Sequence, residues 1–398
     1  MRLKETQYFP MRLLKITLFT AIVLFYTNCT KKDVQSSNQT SNNSCFSSTS
    51  VDNGKAIEGQ YIISLKNTSS TEVTSDDIKQ KARELILGGK LNSSAIKASF
   101  VGRVGGFVAT LNSSQAAEIK SDPSVKTVEP DRIVALSTCF TVVAPTLITW
   151  KVQKVGYGDG RGKTAWIVDS GIDTDHPDLN VDQTRSKSFI PNVTSFDDEN
   201  GHGTHVAGII GAKNNDFGVM GIAADATLVS CRVLDKDGKG TLSSIIQALA
   251  YIGANAKAGD VINMSIGEDG TSDVLDQQVQ AIAAKGIYVA IAAGNDSKAA
   301  DLFSPGRANG DNIFTVSAVD SLDNFASFSN YGNDVVDFAA PGVRILSTYK
   351  DGLYAKMSGT SMATPHVAGL LLLKGRGISY SGTAINDPDG TPDKIAHK

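Results

Sequence analysis

The chain has 398 residues, 41% hydrophobic and 20% charged, with a formal net charge of −3. That apolar share supports a real core and excludes a wholly disordered chain. The near-neutral balance excludes a general nucleic-acid binder, and four cysteines are too few for a disulfide scaffold. At roughly 150 residues per domain, two or three units are expected. No apolar run reaches the ~20 residues needed to cross a bilayer.

Residues 1–29 read as a secretory signal. Arg12 and Lys15 precede an apolar run from Ile16 to Tyr26, and Cys29 closes the segment. That cysteine resembles the lipid-attachment cysteine of bacterial lipoproteins, although Asn28 stands where a small residue is usual. The resemblance implies export and a membrane contact through lipid on Cys29. Residues 30–57 read as a flexible linker: twelve of the fifteen residues from Ser36 to Ser50 are Ser, Thr or Asn. Such a stretch buries too little apolar surface to offset its ordering entropy.

Residues 58–137 form a small unit. Tyr61–Leu65 reads as a strand, and Ser75–Leu87 as a helix with Ser75 as its cap and Asp76 and Asp77 in its first turn. A strand at Gly105–Leu111, a helix at Ser113–Lys120 and a strand at Val125–Val128 complete a small α+β domain.

Residues 138–398 form the large unit. Thr164–Val168, Val261–Met264, Ile287–Ala292 and Ile313–Val316 are continuous apolar strands. Helical spacing marks Thr241–Lys257 and Asp273–Lys285 between them. Fully apolar strands alternating with helices predict an α/β fold: a doubly wound, mostly parallel sheet covered on both faces. In such sheets, sites gather at the carboxyl ends of the strands.

Three segments fit that expectation. The first strand runs into Asp169-Ser170-Gly171. A Gly-His-Gly-Thr-His-Val-Ala-Gly stretch spans Gly201–Gly208. Gly359-Thr-Ser-Met-Ala-Thr-Pro-His-Val-Ala-Gly369 opens the last apolar helix. A serine hydroxyl is a weak nucleophile until a base takes its proton, and that base needs an orienting carboxylate. Asp, then His, then Ser is one of the chain orders in which that geometry occurs.

These segments resemble the subtilisin and proteinase K family of serine peptidases, over about Thr141 to Leu373, and the small unit resembles the family's inhibitory propeptide. The resemblance implies a secreted or surface-anchored serine endopeptidase, made as a self-processing zymogen. It casts Asp169 as the orienting acid, His202 as the base, Ser361 as the nucleophile and Asn295 as the side-chain donor of the oxyanion hole. Protein or peptide substrates, the chain's own propeptide as inhibitor, and a monomer are implied as well. Gly238 and Gly240, with Ser265 and Gly267, match two segments that hold an extended peptide between them. Ser265–Gly267 and Ala292–Gly294 would wall the pocket for the residue before the cut. Glu268 replaces a usual glycine there and Asp296 follows Asn295. The two acids are expected to admit Lys or Arg in that pocket, unless Glu268 merely points to solvent. No organic cofactor is implied. A structural calcium is, with Asp178, Asn215 and the carbonyls of Lys213, Phe217 and Val219 as ligands; a loop stable without metal is the alternative.

Propeptide cleavage is expected between Leu136 and Thr141, with a site as late as Pro145 as the alternative. Cys231 reads as a buried thiol, which leaves Cys45 and Cys139 to pair or stay free. The family's further C-terminal helices have no counterpart in the 25 residues after Leu373. Asp387–Asp393, with oxygens spaced as in a calcium loop but without the rest of an EF-hand, reads as a solvated tail. His205 and His366 read as structural. A zinc pair at His202 and His205 lacks the glutamate of its motif, the glycine-rich Gly158–Thr164 leads into a strand where a phosphate loop needs a helix, and no carboxylate pair is spaced for glycosidase work. The rival function is a catalytically silent peptide-binding module.

Overall fold

The computed structural model describes residues 52–66, 72–136, 139–142 and 148–398, with backbone alone at 139–142. Cys29, Cys45 and the Cys139 side chain therefore lie outside the described residues. No helix among the described residues is long and apolar enough to cross a membrane.

The small unit contains β1 (Ala56–Leu65), α1 (Ser75–Leu87), β2 (Ile96–Phe100), β3 (Gly106–Thr110), α2 (Ser113–Lys120) and β4 (Val125–Ala135). Its strands are ordered β4-β1-β3-β2, all antiparallel. One face buries Ile63, Phe107, Ala109 and Val125 against Ile78 and Leu85 of α1 and Ile119 of α2. The cap of α1 is Thr74 and not Ser75: Thr74 Oγ1 accepts from Asp77 N, and the Asp77 carboxylate accepts from Thr74 N at 2.7 Å. This reciprocal capping box satisfies two otherwise orphaned donors, which is why the helix starts one residue after Thr74. Residues 53–56, ahead of position 58, already pair with β4.

The large unit continues with β5 (Cys139–Val142), α3 (Trp150–Val155), β6 (Gly158–Asp159), β7 (Thr164–Asp169), β8 (Lys187–Ser188), α4 (His202–Gly211), β9 (Ala223–Ala224), β10 (Thr227–Arg232), β11 (Lys239–Thr241), α5 (Leu242–Asn255), β12 (Val261–Met264), α6 (Asp273–Ala283), β13 (Tyr288–Ala292), β14 (Ile313–Val319), β15 (Val336–Pro341), β16 (Ile345–Tyr349), β17 (Leu353–Ser358), α7 (Thr360–Lys374), β18 (Ser379–Thr383) and β19 (Lys394–His397). The main sheet is ordered β18-β19-β15-β14-β13-β12-β7-β10-β8. Every pairing in it is parallel except β18 with β19. β7 is flanked on both sides, so each of its residues meets a covered face, and Ala165 to Asp169 are all buried. α5 and α6 cover one face around Trp166, Val168 and Ile262. α4 and α7 cover the other, around Ala165 and Ile167.

The C-terminus departs from the solvated tail expected of it. β18 and β19 form an antiparallel hairpin, and β19 adds to the sheet edge beside β15, with Ile395 opposite Ala339. Ile395 packs with Val319, Ala339 and Ala384. Asp393 is buried and accepts from Ser317 Oγ; burial pushes its carboxyl up to about 7. Truncating a buried Ile to Ala costs ~2–5 kcal/mol. Ile395→Ala, measured by urea unfolding in a Ser361→Ala background, is therefore expected to lose stability in that range; a solvated tail would leave it unchanged.

Candidate active site

Asp169 closes β7 at the carboxyl edge of the sheet and is wholly buried. Its carboxylate accepts from His202 Nδ1 at 2.8 and 3.0 Å and from Ser170 N at 2.7 Å. The proton of the imidazole thus sits on Nδ1, and Nε2 keeps its lone pair. Nε2 is buried and has no hydrogen-bond partner among the described residues. Gly203 follows because no side chain fits there: a Cβ would lie 2.1 Å from Gly171 O.

His202 is the first residue of α4, and its placement rests on Asp198, which sequence reasoning did not single out. The Asp198 carboxylate accepts from Gly201 N at 2.8 Å, Thr204 N at 2.9 Å, Thr204 Oγ1 at 2.6 Å and Ser170 Oγ at 2.9 Å. It caps the helix from outside, satisfies its orphan donors and complements its dipole. Ser170 Oγ in turn accepts from Gly203 N, which ties the loop after Asp169 to the helix that begins at His202. The only signal in the sequence was an acid four residues before the histidine.

Ser361 is the second residue of α7, which packs against α4. Its hydroxyl donates to Ser265 O at 3.0 Å, and Ser265 Oγ donates back to Ser361 O at 2.8 Å. Pro365, four residues on, has no N–H, so the Ser361 carbonyl lacks its usual helical donor and takes the Ser265 hydroxyl instead. No hydrogen bond joins Ser361 to His202 here; such contacts are often loose until substrate is bound. Asn295 Oδ1 accepts from Thr360 N at 2.8 Å and Thr360 Oγ1 at 3.0 Å, which fixes the amide with Nδ2 as its donor end. Ser361, Asn295, Gly294, Asp296 and Ser265–Glu268 line one pocket, together with Leu136 and Asn53.

Residues 160–377 match the sequence profile of the subtilase family, and residues 60–137 match that of the peptidase inhibitor I9 family. The chain belongs to the subtilase family. It is 39% identical over 329 residues to subtilisin NAT of Bacillus subtilis subsp. natto, covering 80% of each chain. It is 36% identical over 334 residues to alkaline serine exoprotease A of Vibrio alginolyticus, covering 80% of this chain and 60% of that protein. The solved structure of a cold adapted subtilisin-like serine proteinase aligns with a TM-score of 0.56 at 34% identity, covering 63% of this chain and 98% of that one. Subtilisin-like enzymes are serine endopeptidases, and an I9 domain precedes the catalytic domain of this subtilase.

The I9 domain lies in the subtilase cleft. β4 pairs antiparallel with β11, placing Ala135 opposite Lys239 and Val134 opposite Gly240, and Leu136 N donates to Gly238 O at 2.9 Å. The Gly238–Gly240 side of the cleft thus holds an extended strand. The Ser265–Gly267 side differs from expectation: among the described residues no main-chain hydrogen bond joins it to β4. The outer edge of β4 is taken by residues 53–55. Gly54 N donates to Ile133 O, Ile133 N to Lys55 O, and Ala135 N to Asn53 Oδ1 at 2.9 Å. Two carboxylates of the I9 domain meet helix starts: Asp131 accepts from Ser243 N at 3.0 Å in the first turn of α5, and Glu129 accepts from Ser272 Oγ at the cap of α6.

Glu268 does not point to solvent. Its side chain is wholly buried, with Oε2 3.9 Å from Arg132 Nε of β4. Its charged neighbours are Arg132, Glu129, Asp131 and Asp276, whereas Asp296 faces Lys298 and Asp269.

Lys213, Asn215, Phe217 and Val219 share the loop after α4, and Asp178 reaches it from the segment between β7 and β8. Asp178 accepts from Asn215 Nδ2 at 3.0 Å, Val219 N at 2.9 Å and Tyr354 Oη at 3.2 Å. Gly218, at φ +74°, lets the loop wrap the carboxylate; a Cβ there would lie 2.1 Å from Asp178 Oδ2. The cradle and its all-oxygen ligand set fit a calcium ion by chemistry. Among the described residues no group of three His, Cys, Asp or Glu side chains could hold a metal. His205 does not turn toward His202: its Nε2 donates to Ile345 O and Ala355 O. His366 Nδ1 donates to Met362 O. Burial, with Lys151 nearby, holds both well below the ordinary histidine range.

Burial pushes Glu129 up to about 7 and Glu268 to about 8. The folded precursor therefore keeps protons that the unfolded chain has lost. Stability from this source is full below the ordinary glutamate range and falls as pH rises towards 7–8. Thermal melts of the Ser361→Ala precursor from pH 5 to 9 are expected to show that decline, and Glu129→Gln is expected to flatten it.

Proposed function

We propose that this subtilase is an exported, self-processing serine endopeptidase in which Asp169, His202 and Ser361 form the catalytic triad and Asn295 the oxyanion donor. The observation that carries the reading is the buried Asp169–His202 bond, which leaves an imidazole lone pair on Nε2 beside the helix that bears Ser361. As Ser361 Oγ adds to a peptide carbonyl, His202 Nε2 takes its proton. Asn295 Nδ2 and the backbone N–H groups at the start of α7 receive the negative oxygen. His202 then returns the proton to the leaving amine, and water hydrolyses the resulting ester by the same steps in reverse.

The first substrate is the chain itself. Leu136 is held by Gly238 O, while Cys139 is already paired with Ser358 in β17. That narrows the processing site to the three bonds between Leu136 and Cys139. Wild-type precursor is expected to yield a new N-terminus at residue 137, 138 or 139, read by terminal sequencing. Ser361→Ala should stay full length, and equal processing of the two proteins would defeat the reading. Asn295→Ala should lower kcat ~10²–10³-fold on peptide substrates, the loss seen when subtilisin loses this kind of donor. A silent peptide-binding module would show neither effect.

Lipid on Cys29 would hold the precursor at a membrane, and a Cys45–Cys139 bond would keep the processed enzyme attached there. Membranes washed with and without reductant test this, since only the bonded form needs reductant for release. Calcium in the Asp178 loop would stabilise the folded state by binding it alone. A chelator is then expected to lower the melting temperature of wild type, and Asp178→Asn to remove that sensitivity.

A further inference from the structure

Glu268 lines the pocket that holds Ser361, yet neither of its carboxylate oxygens has a hydrogen-bond partner. An unpaired buried carboxylate is costly, and buried charges in proteins are ordinarily paired. The charged groups facing it are Glu129 and Asp131 of β4, Asp276 of α6, and Arg132 of β4. Three of these are acids, and Asp276 is already engaged by Arg307 at 2.6 Å. Among the described residues Arg132 is therefore the single cation that meets Glu268, with Nε 3.9 Å from Oε2, while its Nη1 donates to Gly54 O at 2.7 Å.

Arg132 belongs to the strand that fills the cleft in register with Lys239–Thr241. It stands four residues before Leu136, whose N–H is held by Gly238 O. A substrate strand laid along the same ladder would bring its own residue at that position over Glu268. Once the I9 domain leaves, the acids Glu129 and Asp131 that help keep Glu268 protonated in the precursor leave with Arg132, so Glu268 ionises more readily in the processed enzyme, where it has no cation of its own among the described residues.

We propose that Glu268 selects a basic side chain, Arg or Lys, in peptide substrates at the position Arg132 occupies, four residues before the residue held by Gly238. The inference rests on the endopeptidase reading above and places the selectivity well upstream of the cut, away from the pocket for the residue that precedes it. A single partly exposed ion pair supplies a preference over a neutral side chain of up to about fivefold, and like-charge repulsion raises the contrast with Glu to about five- to tenfold.

The test uses processed wild-type enzyme and ten-residue peptides identical except for Arg, Lys, Ala or Glu at that position. kcat/KM for Arg and Lys is expected to exceed that for Glu about five- to tenfold, and the ratio is expected to shrink in high salt. Glu268→Gln should bring the ratio towards one, and Glu268→Arg should invert it in favour of the Glu peptide. A wild-type ratio near one, or a preference for Arg that persists in Glu268→Gln, overturns the proposal. Should either variant fail to fold, the wild-type ratio and its salt dependence still decide. Cleavage of none of the peptides would instead defeat the endopeptidase reading, so the two failures are distinguishable.

Discussion

The active-site architecture depends on one buried bond, from His202 Nδ1 to Asp169. Both partners are withdrawn from water, so the carboxylate must find its compensation inside the protein. It does so with Ser170 N and the imidazole. A second carboxylate, Asp198, then satisfies the helix start that presents the imidazole. The parallel sheet supplies the reason for the location. β7 can carry an acid only where its covered run ends, and the carboxyl edge is where the flanking loops are free to supply donors.

The I9 domain uses the same physics from outside. Its last strand completes a ladder with β11, its carboxylates meet the starts of α5 and α6, and its preceding residues 53–55 pair along the far edge of that strand. The strand enters the cleft as one member of a paired ribbon, so the Ser265–Gly267 wall meets Asn53 and Gly54 where a bare peptide would have met it. Gly54 suits that role, since any Cβ would strike Asp269 O at 2.0 Å.

Much of this was legible in the residues. Apolar strands such as Val261–Met264 identify themselves because both faces are covered, and the glycine-flanked Asp169, His202 and Ser361 segments stand out because close backbone approaches leave no room for side chains. The helices Ser75–Leu87 and Ser113–Lys120 were bounded correctly in the sequence, although the cap of the first is Thr74 and that of the second is Asn112. What escaped depends on partners distant in sequence. Asp198 looks like any loop acid until α4 folds onto it. Glu268 reads as a pocket acid or a solvent-facing one, and its approach to Arg132 of β4 depends on a strand more than a hundred residues away. The terminal hairpin has an exposed first strand, Ser379–Thr383, with no apolar alternation to announce it, and only β19 carries buried residues. Pairing of residues 53–55 was hidden by their neighbourhood of Ser, Thr and Asn.

Pro365 has a wider consequence. By withholding a donor from the Ser361 carbonyl, it leaves the proposed nucleophile anchored to Ser265, in the pocket wall, through a reciprocal pair of bonds. Recognition and reactivity are then mechanically one part. Anyone reshaping the Ser265–Glu268 wall to admit a new side chain pulls directly on Ser361, whereas the opposite wall at Ala292–Gly294 reaches it only through its neighbour, Gly294 N donating to Thr360 Oγ1 at 3.2 Å. In enzyme engineering, the two sides of the pocket are not equivalent handles.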